Sequence, residues 1–281
     1  MLAGMTQPRR GPRNAIFEAN RATGTIALSV AAHEGRTRRT KVHEAGSLRV
    51  RFPNVTTDAL EAVIVNTGGG MTGGDRFTVD IKVDEGANLV AGTTAAEKIY
   101  RSTGPDAEMD VSLSVADGAH LSWLPQETIL FDRARLSRHI DVELAENASL
   151  IMAEAVVFGR AAMGEAVVEG FLADRWRLTR GGKLVYADAL RLDGAIAEKL
   201  GRRAVTNGGI ALATVLIAPG GEDQLAAVRA LEEQFMGEAG ISAWNGIAVA
   251  RLCAEDGAKL RHDLIAVLAA LGTTVPRLWL Q

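Results

Sequence analysis

The chain is poor in the residues that make tight chemistry. Its 281 residues include a single cysteine, Cys253, which excludes an internal disulfide and a multi-cysteine metal cluster. Cys253 lies in the apolar stretch VARLCAE and reads as a buried structural thiol rather than a nucleophile. The five histidines, His33, His43, His120, His139 and His262, form neither H-x-H nor H-x-x-x-H, so no local chelate is present. There is no G-x-S-x-G and no Gly-Lys-Ser/Thr. Aromatic residues make up only 5%, little for stacking on sugars. No apolar run approaches the roughly 18 residues of a membrane span. Arg9-Arg10 lacks the apolar segment of an export signal, and the cytoplasm is the expected compartment. A net charge of −3 argues against nucleic acid as a partner. The basic stretch RTRRTK (36–41) reads as a solvated face.

What is abundant is glycine and period-two alternation. The stretch AVIVNTGGGMTGGDRFTVDIKV (62–83) places five glycines and Asp75 between a β-branched run and the alternating Phe77, Val79, Ile81 and Val83. Gly68, Gly70 and Gly73 satisfy G-x-G-x-x-G, but a strand rather than a helix follows, so the pyrophosphate site of that fingerprint is missing. The stretch reads as a corner between strands. So many glycines imply that another backbone or a partner packs on it.

A longer pattern follows. EGANLVAGTT (85–94), DGAHLSWLPQ (117–126), ENASLIMAEA (146–155) and RGGKLVYADA (180–189) each lead from a turn pair into a leucine. The leucines are Leu89, Leu121, Leu150 and Leu184, spaced by 32, 29 and 34 residues. Self-similarity near this period predicts a mainly β protein of stacked or helically coiled units. After Gly208 the character changes to strand (Ala211–Ala218), helix (223–236), strand (Ser242–Ala254) and helix (258–271). With no linker rich in proline or serine, 1–281 reads as one domain: a disordered 1–14, a β body over 15–207 and a helical face over 208–281.

Carboxylates remain as candidate chemistry: Asp75 at the glycine corner, Glu97 and Glu127 after the first two repeat leucines, and Glu154 and Asp188. The last two each fall four residues after their leucines. Stacked repeats would place them one above the other on the inner face. Inward acids are costly unless paired or hydrated. Arg133, Arg138, Arg160 and Arg191 are available as partners, and a wet, acid-lined interior is the other reading.

With VNTGGGMTGGDRF (65–77), EKIYRS (97–102), WLPQETILFDRARLSR (123–138), VFGRAAMGE (157–165), LVYADALRL (184–192) and VPRLWLQ (275–281), the chain resembles the urease accessory protein UreD (UreH) family from about Arg49 onward. The resemblance implies a helical arrangement of strands with two helices and no substrate turnover. It implies maturation of the nickel enzyme urease, with UreF, UreG (through UreF) and the urease apoprotein as partners. It also implies Ni2+ in transit through a hydrated tunnel, with no tightly bound cofactor. Asp75, Glu97, Glu127, Glu154 and Asp188 are then the expected nickel path. The C-terminal helices and the glycine corner are the expected partner surfaces. Competing readings are a β-solenoid carbohydrate-active enzyme with paired carboxylates and a structural adaptor with no metal path.

Overall fold

The computed structural model describes residues 20–54, 59–160 and 164–280. The segment 1–14, expected to be disordered, lies outside the described residues, as does part of VFGRAAMGE. The strands of the first half are β1 (Thr23–His33), β2 (Arg36–Gly46), β3 (Leu48–Arg51), β4 (Leu60–Asn66), β5 (Arg76–Val83), β6 (Asn88–Thr93), β7 (Glu97–Ile99), β8 (Ala107–Val115) and β9 (His120–Leu124). They are followed by β10 (Thr128–Leu130), β11 (Arg135–Leu144), β12 (Ser149–Phe158), β13 (Glu169–Arg180), β14 (Lys183–Ala195), β15 (Ala211–Ala218), β16 (Glu238–Trp244) and β17 (Ile247–Ala254). Three helices are described: α1 (Ile196–Leu200), α2 (Glu222–Arg229) and α3 (Gly257–Ala270).

The first sheet has the order β14-β13-β11-β8-β5-β1-β2, and the second β16-β17-β15-β12-β9-β6-β4-β3, with β10 beside β12 and β7. From β4 to β13 the chain passes back and forth between them, and the neighbours so formed are parallel. This is the coil that the repeat predicts. Leu89, Leu121 and Leu150 are register partners across the second sheet and are fully buried. In the first sheet, Val79, Val111, Ile140 and Trp176 form the facing rung. In the first sheet, alternation turns mostly apolar residues into the space between the sheets and mostly polar ones to solvent.

The fourth repeat leucine departs from the pattern. At Gly181-Gly182 the chain makes a hairpin instead of another coil, and β14 returns antiparallel along β13 in the first sheet. Leu184 is therefore 51% exposed and not stacked on Leu150. The expected strand Ser242–Ala254 is a hairpin of β16 and β17 about Asn245-Gly246, both at positive φ.

A second apolar layer lies outside the second sheet. Its outer face there is built of small residues, among them Ala153, Ala155, Ala213 and Ala250, against which Leu225, Val228, Leu260, Leu264 and Leu268 pack. The two expected helices lie on this face. The first ends at Arg229 rather than at 236; a short turn, Glu232–Gln234, follows, and the buried Asp263 of α3 accepts hydrogen bonds from the backbone N–H of Met236 and Gly237 (2.9 and 2.8 Å) where the chain enters β16. The short α1 carries no periodicity that five residues could reveal.

The glycine corner is the crossover from β4 to β5, and what packs on it is the next coil. Met71 pairs with Ile99, its N–H donating to the Lys98 carbonyl and its carbonyl accepting from Tyr100 N–H (2.7 Å each). A Cβ at Gly70 would stand 2.4 Å from the Tyr100 ring, and one at Gly73 would stand 2.0 Å from Ser102 Oγ and 2.3 Å from the Pro105 carbonyl. Gly73→Ala is thus expected to cost about 3 kcal/mol through overpacking. Gly69 has positive φ but nothing within 4 Å, so Gly69→Asn is expected to cost about 1 kcal/mol or less. Urea unfolding of the two variants checks the contrast.

Candidate functional site

One rung of the inter-sheet core is not apolar. Phe77, Met109, Arg138 and Asp174 are register partners across β5, β8, β11 and β13. Opposite them, β12 turns Glu154 inward on the same side as Leu150 and Met152. Arg138, Glu154 and Asp174 are 2%, 5% and 6% exposed. The Arg138 guanidinium donates through Nη1 to Glu154 Oε2, and through Nη2 and Nε to Asp174 (2.5 and 3.0 Å). Trp123 Nε1 donates to Glu154 Oε1 (2.7 Å), and Trp176 Nε1 to Asp174 Oδ1 (3.1 Å). Burial works against the charge on Arg138, but Asp174 and Glu154 more than offset it and raise its pKa. Burial raises the Glu154 carboxyl above its ordinary value, with Arg138 pulling the other way. One guanidinium faces two carboxyls, so the pocket carries surplus negative charge whenever both acids are ionised.

Beside this cluster is a cavity of about 40 Å³, lined by Glu97, Trp123, Gln126, Thr128, Arg138 and Glu154 together with apolar side chains. Its size suits a few waters. Glu97 Oε1 accepts from Asn66 Nδ2 (2.9 Å). Burial pushes the Glu97 carboxyl up to about 7, and the Asn66 bond only partly opposes this. From Glu154 a polar row continues across the second sheet. Glu154 is the register partner of Thr214, and Thr214 of Arg251. Arg251 Nη2 donates to Asp188 Oδ2 (2.7 Å), which also accepts from Tyr186 Oη (3.1 Å).

The five acids expected from sequence are therefore distributed as follows. Glu97 and Glu154 share the cavity. Asp188 does not stack on Glu154: the β14 hairpin puts it in the other sheet, and it joins the same row only through Arg251. Asp75 is buried in the glycine corner, where its oxygens accept from Ala22 N–H and Thr72 N–H (2.8 Å each) and fix the crossover. Glu127 lies on the helical side of the second sheet, with both oxygens on Arg261 Nη2 (2.8 and 2.6 Å). Asp174 was not among the candidates. The signal for it is the alternation Leu172, Asp174, Trp176, Leu178, masked by the charged residues between. Cys253 is half-buried, its thiol raised by burial and donating weakly to the Thr206 carbonyl (3.7 Å). Among the described residues, no three His, Cys, Asp or Glu side chains converge as a metal site.

A family model described as UreD urease accessory protein matches residues 22–280, a span that contains every element named above. The chain belongs to the UreD urease accessory protein family. It is 53% identical to urease accessory protein UreD of Rhodopseudomonas palustris (strain BisA53), with 100% of each chain covered. It is 56% identical to the UreD of Bradyrhizobium diazoefficiens, over 95% of this chain and 97% of that one. Against the UreD of R. palustris (strain HaA2) the identity is 57%, over 95% and 96%. The coil of β4–β13, the Arg138 cluster and the C-terminal helices all lie inside the matched region. No helix among the described residues is long and apolar enough to cross a membrane.

Proposed function

We propose that this chain serves the maturation of urease in the cytoplasm as a non-catalytic scaffold and a conduit for nickel(II), held between UreF with its partner UreG on one side and the urease apoprotein on the other. The maturation role is supported by relatives named urease accessory protein that match along the whole chain. The conduit is supported by one observation: a row of ionisable and hydroxylic side chains, Glu97, Arg138–Glu154, Thr214 and Arg251–Asp188, leads from the apolar core between the sheets out to the exposed Arg251. The nickel is cargo here. Nitrogen and sulfur ligands hold nickel(II) most firmly, so oxygens spaced along a path give brief residence. The guanidiniums act in the same direction. At Glu154 and Asp188 an arginine already serves as counterion, so an arriving dication competes with it and is readily displaced. Carbohydrate cleavage fits poorly. It calls for two carboxyls flanking a bound sugar, whereas Glu154 and Asp174 share one arginine beside a cavity of about 40 Å³.

The test is co-expression with urease and its accessory proteins, reading nickel per urease by metal analysis. Omitting this chain is expected to leave urease without nickel. Glu97→Ala combined with Glu154→Gln is expected to lower nickel content about tenfold while the complex still co-purifies, because a neutral path no longer offsets the dication's desolvation. Full loading by that double variant would reject the conduit and leave a plain adaptor.

A further inference from the structure

The second sheet has an opening beside Glu154. β9 pairs with β12 as far as Trp123 and Met152, and β10 takes up the pairing only at Thr128 and Val156. On the neighbouring strands, β6 pairs with β9 up to Gly92 and Leu124, and β7 joins β10 from Glu97 and Thr128. Between these ladders the wall of the chamber is the loop Pro125–Glu127. Gln126 fills the opening. Its backbone N–H donates to Thr93 Oγ1 (2.9 Å), its Nε2 donates to the Thr94 carbonyl (3.0 Å), and it lines the chamber from within.

From outside, the opening is covered by the C-terminal turn Arg277–Leu280. Trp279 is buried there, and its Nε1 donates to the Leu124 carbonyl (3.1 Å). Gln126 Nε2 also reaches the Leu278 carbonyl (3.4 Å). Arg261 of α3 ties the assembly together. It donates to the Trp279 carbonyl (3.1 Å), to Gln126 Oε1 (3.1 Å) and to both oxygens of Glu127, and its guanidinium lies 5.9 Å from the Trp279 ring. Glu127, whose side chain is turned away from the polar row onto Arg261, has its place here.

We propose that the C-terminal turn is a latch over a side portal, and that its release admits a hydrated divalent cation to the Glu97–Glu154 chamber. The geometry stands alone; the use of the portal for nickel rests on the conduit reading. The latch is held by one indole and a few hydrogen bonds from Arg261 and Gln126. The strands on either side of the opening are held by ladder hydrogen bonds. The turn therefore opens by a local fluctuation far less costly than unfolding.

A chain labelled with 5-fluorotryptophan reports on this through its four tryptophans, each with its own resonance. Paramagnetic Ni2+ is the probe. Trp244, 42% exposed, is expected to broaden first, and Trp123, which touches Glu154, only at higher nickel. Arg261→Met is expected to bring the nickel midpoint at Trp123 down about threefold or more, and Arg261→Lys to restore part of the difference. An unchanged Trp123 midpoint in a natively melting Arg261→Met chain overturns the latch. Should that variant fail to fold, hydrogen exchange of the unaltered chain decides. The Gln126 and Trp279 amides are expected to exchange together and faster than those of Leu150 and Met152; exchange of all four at one global rate overturns the latch. Easier broadening at Trp123, with nickel in co-expressed urease unaffected by any change to the chamber, upholds the latch and removes the conduit.

Discussion

Arg138→Met is expected to lower the free energy of unfolding by about 3–5 kcal/mol, read from urea denaturation at neutral pH. The cause is the pair of acids left behind. Glu154 and Asp174 sit about nineteen-twentieths buried; Glu154 has one oxygen on Trp123 N–H and the other on Arg138, and Asp174 has both on Arg138, one of them shared with Trp176 N–H. Without the guanidinium, neither buried acid keeps its cationic partner. The companion experiment replaces the whole cluster: Arg138→Met, Glu154→Leu and Asp174→Leu together. A fully apolar rung is often as stable as a buried ion cluster or more so. Here two indole N–H groups lose their acceptors, at about 1–3 kcal/mol each. The triple variant is expected to recover part of what the single one loses, yet to fail in delivering nickel. That outcome would separate what the cluster does for the fold from what it does for cargo. Equal destabilisation in both variants would show that packing at position 138, not charge, sets the loss.

Much of this arrangement is legible in the residues, and the failures have a common physical source. The alternation Phe77–Val83 identifies a strand and its inner face without ambiguity, because the period of two is a property of the backbone alone. The leucine spacing finds the coil because each turn of a solenoid repeats the same local task. Leu184 shows the limit. Turn chemistry at Gly181-Gly182 resembles that at Glu85-Gly86 or Asp117-Gly118, but the first closes a hairpin and the others carry the chain between sheets. Local sequence does not distinguish them, and Asp188 is misplaced as a result. Asp174 is hidden differently: within ADRWR it looks solvated, and only counting back from Trp176 by two turns it inward. Arg261 is beyond local reading altogether, since its partners Gln126 and Glu127 lie 135 and 134 residues away.

The second large effect is in pH. The Glu97 carboxyl stands at about 7 in the folded chain, against an ordinary value of 4.5, because burial disfavours its charge. Between those values the folded chain keeps a proton that the unfolded chain gives up, so stability is lost as pH rises through this window. By pH 8 the loss from Glu97 amounts to at most about 3 kcal/mol. Glu154, raised in the same direction, adds to the slope. Glu97→Gln keeps an acceptor for Asn66 and removes the charge. It is expected to match the parent chain at pH 4, to exceed it in stability at pH 8, and to retain only the slope due to Glu154; urea unfolding across pH 4–8 measures this. The same proton governs cargo. Only the ionised carboxylate attracts a dication, so nickel affinity at the chamber, followed at the fluorinated Trp123, is expected to rise about tenfold per pH unit below 7 and to level off above it. In Glu97→Gln that rise is expected to be largely lost. A group balanced at neutrality exchanges a proton for a cation, and the reverse, at little cost in either direction, as passage without capture requires. A parent-like slope in the glutamine variant would mean that Glu97 titrates as a hydrated acid, and the chamber would then have no group poised for that exchange.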